Sequence, residues 1–65
     1  MSNKMSGREV IIEFQQVGNI VKVIAMDTAS LIEISIQGPV SASESLLKTN
    51  ALKRLEYVLT KKGIF

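Results

Sequence analysis

Residues 9–27, EVIIEFQQVGNIVKVIAMD, decide the fold. Val10, Ile12 and Phe14 recur at period two, the spacing of a strand with one face buried. Val17-Gly18-Asn19-Ile20 then reads as a hairpin. A two-residue loop with Gly first suits a type II′ turn, and Gly-Asn also tolerates type I′, in which both central residues need positive φ. With Gly18 and Asn19 as the loop, Val17 pairs with Ile20, Phe14 with Val23 and Ile12 with Ala25. One face then collects Val10, Ile12, Phe14, Val21, Val23 and Ala25.

The next turn-formers are Asp27-Thr28-Ala29-Ser30. Taken as a four-residue loop, they pair Met26 with Leu31 and Ala25 with Ile32. Ile32, Ile34 and Ile36 fall on the same face as the first set. Two independent turns converging on one face predict a three-stranded antiparallel meander, because a one-residue slip would scatter that face. Gly38-Pro39 is expected to end the third strand, since Pro cannot donate to a ladder.

A helix is predicted to follow. Ser41-Ala-Ser-Glu44 fits a capping box with Ser41 as cap and Glu44 reaching back. Leu47, Ala51, Leu55 and Val58, widened by Leu52 and Leu59, make an amphipathic stripe to lay on the sheet. Lys61-Lys62-Gly63-Ile64 reads as a Schellman stop with Gly63 in the left-handed position. The expected architecture is α+β, order βββα, as one domain over residues 8–65 behind a flexible N-terminal tail, residues 1–7.

Such a pattern is similar to a family of short uncharacterised alphaproteobacterial proteins, a domain of unknown function. The likeness rests on residues 9–27, on Ile36-Gln-Gly-Pro39 and on residues 51–59, ALKRLEYVL. It implies a bacterial origin and a self-contained domain. It brings no activity, ligand or catalytic residue.

At 65 residues there is room for one thin core, since chains of this size bury only about 60% of their unfolded surface. Small domains often gain stability from disulfides, a metal or a partner subunit. The chain has no Cys and no His, so self-association is the open route. Lack of Cys fits a reducing compartment. With no secretion signal and no long apolar run, the expectation is a soluble cytoplasmic protein that does not enter membranes.

Enzymatic readings fail on inventory. Without His or Cys, a nucleophile would be Ser or Thr activated by Lys, and the nearest set, Ser41, Ser43 and Lys48, sits where capping and a solvated helix face explain it. Glu13 and Glu33 are expected beside Lys22 on the outer sheet face, and the scattered acids offer no metal cluster. Gly18 and Gly38 belong to no phosphate-binding pattern. No cofactor or small-molecule substrate is expected.

Two binding readings remain. Residues 39–65 carry Lys48, Lys53, Arg54, Lys61 and Lys62 against Glu44 and Glu56, so the basic character lies in the last third. On a helical wheel Lys53, Arg54, Tyr57 and Lys61, with Asn50, share one stripe, which could neutralise phosphates and stack a base. A solvated helix edge explains the same residues, and cations near a helix C-terminus are favoured anyway. The other surface is the outer sheet face, where Ile11, Ile24, Met26 and Leu31 are expected to form one apolar patch rimmed by polar groups. Such patches mark partners. The favoured function is a small non-catalytic interaction or accessory domain, a homodimer through this patch or an open strand edge. A nucleic-acid-binding module is the alternative. Ile64 and Phe65 folding back over the patch would remove the reason for a partner.

Overall fold

In the computed structural model, which describes residues 7–64, the chain forms β1 (Val10–Val17), β2 (Ile20–Asp27), β3 (Glu33–Pro39) and α1 (Glu44–Lys61). The strands make one antiparallel sheet in the order β1-β2-β3. The expected βββα architecture is the one present. Of the expected tail only Gly7 is among the described residues, and Phe65 also lies outside them.

The first hairpin has the expected register, Val17 with Ile20, Phe14 with Val23 and Ile12 with Ala25. Gly18 has φ +60°, while Leu31 is the one non-glycine residue with positive φ among those described. Asn19 therefore lies outside the left-handed region, which selects type II′ over type I′.

The second hairpin corrects the expectation by two residues. Ala25 pairs with Ile34 and Met26 with Glu33, in place of Ile32 and Leu31. The loop backbone explains the shift. Leu31 donates its N–H to the Asp27 carbonyl and Asp27 donates to the Ile32 carbonyl, so Thr28 to Leu31 form the loop. Closing it puts Leu31 at φ +62°, a conformation that costs an L residue about 1–2 kcal/mol. A two-residue slip preserves side-chain alternation, so the inner face survives intact.

β3 ends at Pro39 as expected, with Gly38 and Pro39 still in its ladder, opposite Val21 and Ile20. The pattern of bonds makes this possible. Asp27 donates to Ile32 and Val40 to Asn19, so the bonding positions of β3 are even-numbered and Pro39 turns its ring nitrogen outward from an edge strand, where no donor is needed.

Helix α1 lies across β2 and β3. Leu47, Ala51, Leu55 and Leu59 meet Val23 and Ala25 in a buried core, with Val10, Ile12, Phe14, Val21, Ile32, Ile34, Ile36 and Ala42 packed against it. A Cβ on Gly38 would stand 2.5 Å from Leu47 Cδ2, so the absent side chain lets the helix come close to β3. The cap is Ser43, not Ser41: its hydroxyl accepts from the Leu46 N–H at 3.1 Å. Residues 39–42 are taken by a turn in which Ala42 donates to the Pro39 carbonyl, so Glu44 becomes the first helical residue and cannot complete a capping box. The far end is the expected Schellman motif. Gly63 has φ +75° and donates to Thr60, while Ile64 donates to Leu59.

Candidate interaction surface

The registers of both hairpins arrange the outer face in four rows across the sheet. They are Ile11-Met26-Glu33, Glu13-Ile24-Ser35, Gln15-Lys22-Gln37 and Val17-Ile20-Pro39. Ile11 and Met26 are direct neighbours as expected, and Ile24 stands one row away. Leu31 does not join them. Glu33 takes the place beside Met26, and Leu31 stands in the loop before the start of β3, 71% exposed. Ile24 and Met26, on the central strand, are half-buried.

Apolar exposure on this face lies mainly at its two ends. Ile11 is 52% exposed at one, and Val17 and Ile20 are 74% and 48% exposed at the other. Between them run Glu13, whose Oε1 accepts from Gln15 Nε2 at 2.6 Å, and Lys22. Val17 was absent from the expected patch, although pairing with Ile20 already placed it on the outer face.

Beyond the end of the inner face lies a group that sequence reading missed as a unit. Asp27, expected as a turn-former, is fully buried at the end of β2. It continues the inward series Val21, Val23, Ala25. Its carboxylate accepts from Arg8 Nε at 3.0 Å and Nη2 at 2.7 Å, and from the Ser30 hydroxyl at 2.7 Å and backbone N–H at 3.0 Å. The Arg8 fork, aided by the Ser30 hydroxyl, holds the Asp27 carboxyl far below its ordinary range, against the opposing effect of desolvation. The signal was available: Arg8 and Val10 share the inward parity of β1, and Val10 pairs with Asp27. With four donors on one carboxylate this is a structural clamp on the second hairpin. Among the described residues no group of three His, Cys, Asp or Glu could hold a metal.

The helix stripe is also in place. Lys53, Arg54, Tyr57 and Lys61 are all exposed. The Arg54 guanidinium stands 5.4 Å and the Lys61 ammonium 5.7 Å from the centre of the Tyr57 ring, within cation–π range. These cations therefore already have a favourable neighbour within the helix. No helix of the described residues is long and apolar enough to cross a membrane.

Neither a curated protein nor a solved structure matches the chain. The model of the domain of unknown function DUF6898 does, over residues 7–62. Sheet, clamp and the whole helix fall inside that span, and the chain belongs to this family.

Proposed function

We propose that the chain is a small non-catalytic interaction domain of a bacterial cytoplasm, and that it works as a homodimer. The observation that carries the reading is the apolar exposure of the outer sheet face at Ile11, Val17 and Ile20. Antiparallel sheets commonly leave one face wet, but that face then reads as polar. The non-catalytic part of the reading is supported by the structural roles of Asp27, clamped by Arg8 and Ser30, and of Ser43, the helix cap. A sequence without His or Cys adds to that.

The test is light scattering coupled to size exclusion, from micromolar to near-millimolar protein, at low and high salt. The reading requires a dimer that persists in salt, since apolar contacts are not screened. A monomer throughout the range sinks it.

A second reading, nucleic-acid binding, is favoured by the exposed cluster Lys53, Arg54, Tyr57 and Lys61. Removing charge at Lys53 and Arg54 would then weaken retention on nucleic acid and flatten its salt dependence, while leaving self-association alone.

A further inference from the structure

Among the described residues, no strand pairs with the outer side of β1. It is an edge strand of eight residues, paired with β2 without interruption, and carries no Pro, Lys or bulge. Soluble proteins ordinarily protect such edges with those devices or with a covering element. The opposite edge, β3, has Pro39 in its ladder and α1 above it. Helix α1 lies over β2 and β3 and leaves the β1 side less covered. Phe14 is only half-buried there, beside an open cavity of about 310 Å³ between the sheet and the start of the helix.

Backbone direction narrows what can pair with this edge. Thr28 donates to the Glu9 carbonyl, so odd-numbered residues of β1 bond toward β2. The amides and carbonyls of Val10, Ile12, Phe14 and Gln16 therefore point outward.

We propose that β1 pairs antiparallel with β1 of a second copy, Phe14 opposite Phe14 on the two-fold axis, to make a six-stranded sheet with both helices on one face. This inference rests on the homodimer reading and names the surface that makes it. The strand Ile-Ile-Glu-Phe-Gln-Gln-Val, residues 11–17, is self-complementary about Phe14. On the outer face, exposed Ile11 meets exposed Val17 of the second copy, and the Glu13 carboxylate meets the Gln15 amide. Ile12 and Gln16 of opposite copies exchange backbone hydrogen bonds. Neighbouring registers lose this match. Shifting the axis to Glu13 sets two carboxylates directly opposite, which is unfavourable, and shifting it to Ile12 sets Ile11 against Glu13. An isologous contact of this kind closes on itself, so it ends at the dimer.

The sequence has no cysteine, so single introduced cysteines report the register directly. Glu13 and Gln15 are both exposed. In the proposed ladder they form a non-hydrogen-bonded pair with Cα atoms about 4.5 Å apart, within disulfide range. Mixing the Glu13→Cys and Gln15→Cys chains under mild oxidation is expected to give mainly the mixed disulfide. Gln16→Pro deletes an outward N–H and no bond to β2, so circular dichroism should be unchanged while the dimer dissociation constant rises more than about tenfold. Met26→Lys, on the face and away from the edge, should leave the dimer intact.

A dimer that survives Gln16→Pro but falls to Met26→Lys overturns edge pairing and leaves self-association standing. Self-linking of Glu13→Cys in preference to the mixed disulfide overturns the proposed register. Wild-type protein that is monomeric at near-millimolar concentration overturns both the edge and the homodimer reading.

Discussion

Asp27 occupies a position whose inward neighbours along β2 are Val23 and Ala25, and it is as fully buried as they are. A lone carboxylate there would be expelled or protonated, but Arg8 and Ser30 together supply it with four donors. The pH dependence follows from the direction of its shift. Unfolded, this carboxyl titrates near its ordinary value of about 4; folded, it titrates well below that. Its contribution to stability is therefore complete above that ordinary value and is lost as pH falls toward the folded value. Urea midpoints of the wild type should fall more steeply between about pH 5 and about pH 2 than those of Asp27→Asn, which has no charge there to lose. Equal slopes would mean that Arg8 and Ser30 do not hold the carboxylate charged. In sequence, Asp27 looks like an ordinary turn residue because Thr28, Ala29 and Ser30 follow it. The parity of β2, not the residue type, marks it as inward.

At the scale of elements, the two ends of α1 show what local sequence determines. Gly63 marks the stop wherever the helix begins, because the left-handed position after the last turn suits Gly and few other residues. The start is contested, since Ser41 and Ser43 are equally good caps by residue type. The turn closed by Ala42 on Pro39 settles the contest for Ser43. Ser43→Ala should accordingly cost about 1 kcal/mol in chemical denaturation, and Ser41→Ala close to nothing. A larger loss at Ser41 would place the cap two residues earlier. The strands repeat the lesson. Both faces of the sheet were legible because alternation survives a two-residue slip, whereas the β2-β3 register was not, because its loop places a leucine at a φ that sequence assigns to Gly or Asn. The expected patch lost Leu31 for that reason. The inner face of the sheet, which depends on parity alone, lost nothing, while in the helix Leu59 takes the buried place expected of Val58.

For the whole molecule the balance is narrow. Val23, Ala25, Leu47, Ala51, Leu55 and Leu59 are the buried apolar residues among those described, a small core for a chain whose size class is stabilised by about 0.05–0.15 kcal/mol per residue. A domain this thin that dimerises through an open strand edge should draw part of its measured stability from the partner. Mass action then couples unfolding to protein concentration, because dilution favours two unfolded chains over one folded dimer. Each tenfold increase in concentration is worth about 1.4 kcal/mol per dimer, so the urea midpoint should rise by roughly 0.5–1 M. Gln16→Pro should remove most of that dependence while the β1-β2 bonds persist, since its N–H faces away from β2. A midpoint that stays constant over two decades of wild-type concentration would instead assign the full stability to the single chain. The unprotected edge of β1 would then need a different physical account.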